Sequence, residues 1–351
     1  MRVTLACLSM ITLLTLIGCN KSVNNTGKDG QQAVTLQGVG ATFPAPIYTR
    51  WFAEYNKLNP TIKINYQGQG SSAGVKNFME ELVDFGASDS AMTDEEIAKA
   101  KGNVLMLPLT AGSVVIVYRL PGLDNLKLSR EALAAIFLGK IRKWNDPRIA
   151  ACNDSSVRLP DLDILVVHRA DGSGTTYALS AHLSAISEEW KKEKGVGQKI
   201  DWPTEGFVGV HGNDGIATRV GVKDGAIGYV EYSFAHKKDA PLTTAILQNK
   251  AGEYVRATVA SGTAALANTQ LPENLRVFIP DPEGKDSYPI VTYTWLLARK
   301  EYPNAAKAKA MRDMLTWVLT EGQALSEELG YLPLPETARQ QVLAAVNTIK
   351  P

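Results

Sequence analysis

The chain has 351 residues, enough for two domains, or one elaborate one, with large buried cores. Lys plus Arg total 37 and Asp plus Glu 36, giving a formal net charge of +1 with no strongly basic run. That balance excludes a general affinity for nucleic acid, so any anion selectivity must be made locally by a few aimed groups.

The first predicted feature is a targeting segment. Arg2 is a thin basic region, and Val3 to Ile17 is mostly apolar but too short to span a bilayer. It ends in Leu16-Ile17-Gly18-Cys19, a pattern like a bacterial lipobox. Residues 1–18 therefore read as a lipoprotein signal peptide, with Cys19 lipidated as the new N-terminus. An ordinary secretory peptide with an incidental cysteine is the alternative. Polar residues 19–32 read as a flexible tether. Cleavage would remove Cys7 and lipidation would consume Cys19, leaving Cys152 as the one thiol and no intramolecular disulfide.

Val34 to Gln37 reads as a strand that runs into Gly38-Val39-Gly40-Ala41-Thr42-Phe43-Pro44-Ala45-Pro46. The helix after it buries Ile47, Trp51, Phe52 and Tyr55, and its prolines suit a first turn. Thr42 and the Phe43 N–H lie at the helix mouth as donors. Ile62 to Tyr66 alternates like a strand, followed by Gly68-Gln69-Gly70-Ser71-Ser72-Ala73-Gly74 and a helix carrying Val75, Phe78, Met79 and Leu82.

Two other motifs overlap that loop. Gly68, Gly70 and Ala73 match the dinucleotide pattern G-x-G-x-x-A, with Asp89 at about the expected distance. Gly70 to Gly74 matches the nucleophile elbow G-x-S-x-G. The first normally sits on the first strand of its unit, and here another strand and helix precede it. The second needs a histidine base, and nothing singles out His168, His182, His211 or His236. A second oxyanion-binding helix mouth, with Ser71 and Ser72 as donors, is the economical reading.

Val83 to Asp89 reads as a strand delivering Ser88 and Asp89 to its C-terminal edge, and Thr93 with Glu96 as a capping box. Asp89 could equally be an exposed turn acid. Val104 to Leu107 is a strand stopped by Pro108, and Ser113 to Tyr118 a further β-rich run. A helix from Ser129 to Phe137 closes at Gly139, and Lys140 to Pro147 reads as a solvated surface segment.

Ile164 to Val167 is a buried strand leading into His168-Arg169-Ala170-Asp171-Gly172-Ser173-Gly174-Thr175-Thr176. Leu179, Leu183, Ile186 and Trp190 then mark one helix face. Between strand and helix, unpaired first-turn N–H groups, hydroxyls and the Arg169 fork all donate to an anion. A capped helix with a solvated Arg169 is the plainer alternative.

Gly209 to Gly215 is another glycine-rich helix mouth, and Ala226 to Val230 a strand leaving the turn Lys223-Asp224-Gly225. Ser287 to Ala298, with Pro289 inside, alternates as a long edge or crossover strand. Two helices end the chain, one burying Met311, Met314, Leu315 and Val318, the other running from Glu336 toward Val346. The strand-loop-helix pattern predicts an α/β fold with its functional loops at strand C-termini. Three of those loops precede residue 112 and one lies mid-chain, which suggests two lobes facing across a cleft.

Taken together, five blocks resemble the phosphate-binding proteins of bacterial phosphate-specific ABC transporters. They are Gly40 to Pro46, Tyr66 to Ser72, Asp84 to Asp89, Arg169 to Thr175, and Gly225 to Tyr232. The resemblance runs from about Val34 to the C-terminus. It implies a type II periplasmic binding protein, two α/β lobes joined by two crossover strands with the ligand in the cleft. Lobe I would be residues 33–112 and 283–351, and lobe II residues 113–282.

The resemblance also implies phosphate contacts from Thr42, the Phe43 N–H, Ser71, Asp89, Arg169, Ser173, Gly174 and Thr175, with Asp171 orienting Arg169 by an ion pair. The implied role is high-affinity phosphate binding in the periplasm or cell envelope by a monomer anchored through lipid on Cys19. Delivery to the permease and ATPase subunits of an ABC transporter would follow, without chemistry on the ligand. No cofactor or metal is called for, and four scattered histidines make a zinc site improbable. His168 and Ser72-Ala73 depart from the family pattern, which bears on affinity rather than ligand class. The rivals are a sulfate or molybdate receptor, which Asp89 argues against, and a secreted phosphatase or serine hydrolase, which lacks a metal cluster and a base for Ser72.

Overall fold

The computed structural model describes residues 33–267 and 269–351. The signal peptide, Cys19 and the tether lie outside the described residues.

One mixed sheet of nine strands organises them. Its long strands are β1 (Val34–Gly40), β2 (Ile62–Gly68), β3 (Phe85–Ser88), β4 (Leu105–Tyr118), β5 (Leu165–Arg169), β6 (Phe207–Val210), β7 (Ala226–Glu231) and β8 (Val291–Ala298). They lie in the order β2-β1-β3-β8-β4-β7-β5-β6, and the short strand Thr243–Thr244 pairs with the end of β4. The outer groups, β2-β1-β3 and β7-β5-β6, are each parallel. Between them β8 and β4 run antiparallel. β4 changes partner midway: Leu105 to Ser113 pair with β8, and Val114 to Tyr118 with β7.

Pro108 does not end a strand, contrary to the sequence reading. β4 runs through it for 14 residues. Thr294 pairs with Thr110 and Trp295 with Pro108, so Leu109 is an extra residue on β4. That bulge accommodates a residue with no N–H to give the ladder. The long edge or crossover strand expected over Ser287 to Ala298 is shorter, Val291–Ala298, fully buried and central, so of the two alternatives only the edge one fails.

The helix Ala45–Leu58 shows why the sequence folds locally as it does. Ile47, Tyr48, Trp51, Phe52 and Tyr55 share one buried face, with proline at the first turn. Each such side chain contributes roughly 1.5–3 kcal/mol by leaving water. The Trp51 indole N–H donates to the Gly322 carbonyl at 2.7 Å, so its one polar atom is satisfied.

Three local expectations change. The helix Ser71–Met79 stops before Leu82, which is 66% exposed, because Glu81 takes a left-handed φ of 59°. Trp190 is buried on its own short helix, since Ser187 ends Gly174–Ile186 and caps Glu188–Glu193. The segment Lys140 to Pro147 is not simply solvated: Ile141 and Trp144 are buried, and the Trp144 indole donates to the Gly225 carbonyl at 3.0 Å. Arg142 and Lys143 stay in water between them.

Candidate functional site

The loops singled out in the sequence meet at the C-terminal ends of β1, β3 and β5 and the mouths of the helices that follow. The Gly40 carbonyl accepts from the N–H groups of Gln69 and Gly70 at 2.8 and 2.9 Å, joining the first two loops. Gly70 has φ of +97°, which glycine tolerates, and turns the chain into the helix Ser71–Met79.

Ser71 is the meeting point. Its fully buried Oγ accepts from the Asp89 N–H at 3.2 Å and from the Gly174 N–H at 3.0 Å. Gly174 opens the helix Gly174–Ile186, so the two outer strand groups contribute to one spot. A Cβ on Gly174 would stand 2.5 Å from the Asp89 Cβ, so only glycine permits this approach. Ser173 caps the same helix, its Oγ accepting from the Thr176 N–H at 3.1 Å.

Arg169 ends β5 with its guanidinium buried, and its backbone N–H donates to the Tyr229 hydroxyl at 3.1 Å. Nε donates to Asp171 Oδ1 at 2.6 Å, and Nη2 donates to Oδ2. Asp171 Oδ1 also accepts from the Gly212 N–H at 3.2 Å. Burial alone would raise the Asp171 pKa; the hydrogen bond and charge of Arg169, with Gly212, outweigh it and hold the carboxyl below its ordinary value.

Asp89 is buried rather than an exposed turn acid, and its Oδ1 accepts from the Thr294 hydroxyl at 2.8 Å. Burial pushes its pKa up to about 7, against the opposing effects of Thr294, Arg169 and Ser71. Thr42 follows β1, and its Oγ1 meets a residue of another loop. Asn213 donates to Thr42 Oγ1 from its backbone at 3.2 Å and from Nδ2 at 2.8 Å, and from Nδ2 to Thr175 Oγ1 at 3.3 Å. Phe43 is fully buried, and its carbonyl accepts from the Tyr331 hydroxyl at 2.6 Å.

All the expected site residues thus lie at the end of β5 or on the loops and helix mouths that follow β1, β2, β3 and β5. Those the sequence reading missed are Asn213, Thr294, Tyr229 and Gln198. Gln198 donates to Ser90 Oγ at 2.5 Å and accepts from the Ser72 hydroxyl, and its carbonyl accepts from the Ser173 N–H at 2.9 Å. Asn213 carried a local signal, an amide in a glycine-rich helix mouth. Thr294 and Gln198 carried none. His168 stacks beside Trp202, ring centroids 5.2 Å apart, and burial lowers its pKa.

A second buried acid sits nearby. Glu231 Oε2 accepts from the Ser233 N–H at 3.0 Å, while Oε1 has no partner among the described residues. Burial raises its pKa from the ordinary 4.5 to about 8. Between those values the folded protein keeps a proton that the unfolded chain has released. Stability is then greatest below 4.5 and is lost as pH rises through about 8. Asp89 acts in the same direction from 3.8 to about 7. Without added anion, melting temperatures should fall more steeply between about pH 5 and pH 9 in the wild type than in Glu231→Gln. Equal slopes would show that Glu231 ionises freely.

The family model of the PBP superfamily domain matches residues 26–321. The phosphate-binding protein PstS of Pasteurella multocida is 42% identical over 321 residues, 90% of this chain and 91% of that protein. PstS of Methanocaldococcus jannaschii is 36% identical, covering 97% of this chain and 93% of its own. Among solved structures, a periplasmic phosphate-binding protein (PfluDING) bound with phosphate superposes with a TM-score of 0.75 at 23% identity, covering 89% of this chain and 93% of that one. A phosphate binding protein from Stenotrophomonas maltophilia gives 0.72 at 23% identity, covering 91% and 96%. These superpositions establish the fold as that of a type II periplasmic binding protein.

Proposed function

The chain belongs to the PstS family of phosphate-binding proteins, and we propose that it binds inorganic phosphate with high affinity and passes it to an ABC permease for import. The observation that carries this reading is the Ser71 contact, where donors from both parallel strand groups converge. Ser71 Oγ accepts from two amides, so its own proton is left to donate to an anion. The ligand would meet Thr42, the Phe43 N–H, Ser71, Asp89, Arg169, Ser173, Gly174 and Thr175, with Asp171 holding the Arg169 fork. A dehydrated dianion needs near-complete hydrogen bonding to offset lost hydration, and this donor set supplies it.

The ligand would be bound without being changed. Ser71 pairs with backbone amides and Ser72 with Gln198, so a serine nucleophile would have no histidine to activate it.

Residues 33–112 with 283–351 would form one lobe and residues 113–282 the other, hinged where β4 changes partner between Ser113 and Val114. A ligand that engages both lobes favours their closed arrangement by its differential contacts. The protein would act as a monomer outside the cytoplasmic membrane, held there by lipid on Cys19, and would deliver phosphate to permease and ATPase subunits.

Calorimetric titration with phosphate, arsenate and sulfate tests the ligand, and solution scattering tests the closure. Tight phosphate binding is expected, with a smaller radius of gyration at saturation than without ligand. Absence of phosphate heat would overturn the function. An unchanged radius at saturation would overturn the hinge alone.

A further inference from the structure

We infer that Asn213 is a positioning residue, which leaves the Thr42 hydroxyl only its proton to offer the bound anion and biases the Thr175 hydroxyl the same way. The inference rests on the phosphate reading above and extends it to a residue outside the expected ligand set.

Asn213 is fully buried in the first turn of the helix Gly212–Val222. Its amide orientation is fixed by one contact: Oδ1 accepts from the Glu231 backbone N–H at 2.9 Å. A backbone N–H can only donate, so the oxygen must face Glu231 and Nδ2 must face the threonines. Thr42 Oγ1 then accepts from both the Asn213 N–H at 3.2 Å and Nδ2 at 2.8 Å. A hydroxyl has two acceptor positions and one proton. With both acceptor positions of Thr42 occupied, its proton remains for a third group. Thr175 Oγ1 receives the second Nδ2 hydrogen at 3.3 Å and is biased the same way.

The placement adds a second consequence. Thr42 follows β1 and precedes the helix Ala45–Leu58, while Thr175 belongs to the helix after β5. Asn213 therefore ties the two sides of the site together through one amide. Glu231, which orients that amide, pairs with Val114, the first β4 residue past the change of partner. The preceding Gly212 has φ of +73° and donates to Asp171, so the same turn also steadies the partner of Arg169. One buried turn thus biases the hydrogen-bonding sense of two ligand hydroxyls and steadies the partner of Arg169.

Asn213→Asp tests this with little change of shape. The aspartate keeps an oxygen for the Glu231 N–H but presents an acceptor to the threonines, whose protons then turn toward it and away from the anion. Phosphate titration at about pH 8 should show binding weakened by roughly a hundredfold. Because the added charge alone would repel phosphate, a double-mutant cycle with Asn213→Ala and Thr42→Val separates the two effects. Asn213→Ala should cost about tenfold when Thr42 is present and much less in the Thr42→Val background. If Asn213→Ala does not fold, the cycle run with Asn213→Ser decides in the same way. Fully additive losses, or wild-type affinity in Asn213→Ala, would overturn the inference. A wild-type protein that fails to bind phosphate would instead overturn the functional reading.

Discussion

Arg169→Ala is expected to lower phosphate affinity by about 3–5 kcal/mol, a rise of a hundredfold or more in Kd. Two effects add in that number. The anion loses a buried guanidinium, and Asp171 loses the fork that Nε and Nη2 make to its two oxygens. Asp171 would then stand half-buried, without its counter-charge, close to an incoming dianion. Its pKa, now held low by Arg169, would rise toward the value burial favours. Adding Asp171→Asn should therefore recover part of the loss, because the neutral amide removes the repulsion. Calorimetric titration of both single variants and the double variant checks this. Purely additive losses would mean the ion pair does not steady the ligand.

What made Arg169 legible in the sequence was locality. The strand Leu165–Arg169, its glycine turn and the Ser173 cap are contiguous, so their donors share one helix mouth whatever the rest of the chain does. The same holds for Thr42 and Ser71, each at a glycine-rich mouth after an apolar strand. Thr294 could not be found that way. It faces Asp89 only because β8 lies antiparallel beside β3, an adjacency no local pattern encodes. Glu231 has the same history: its burial follows from pairing with Val114, while its sequence context reads as an ordinary strand end. Pro108 shows the opposite failure. Its local chemistry argues for a break, and the β8 pairing absorbs it through the bulge at Leu109.

The burial of Asp89 also reshapes the expected basis of ligand choice, and this yields the second large effect. Near neutral pH phosphate is mostly a proton-bearing anion, whereas sulfate has no proton to give. An ionised Asp89 is acceptor-only, so it gains a charge-assisted bond from phosphate but opposes a lone pair of sulfate. Two acceptors face to face in a desolvated site cost on the order of several kcal/mol, enough for about two to three powers of ten in selectivity. Burial, however, pushes Asp89 up to about 7, so below that pH the carboxyl carries a proton it can donate to sulfate. The sign follows directly. Sulfate binding requires protonated Asp89, so its Kd should rise about tenfold per pH unit above that pKa and level off below it. Glu231 keeps its own proton until about 8 and is present in every variant compared, so it does not produce the difference. Asp89→Asn presents an NH₂ donor at all pH values. Phosphate binding should survive in it, sulfate binding should strengthen and lose its pH dependence, and the selectivity ratio at about pH 8 should fall at least tenfold. Titrations of both anions at about pH 6 and pH 8 decide the matter. The same ratio in mutant and wild type at both values would show that Asp89 does not read the ligand's proton, and selectivity would then rest on the fit of the surrounding donors alone.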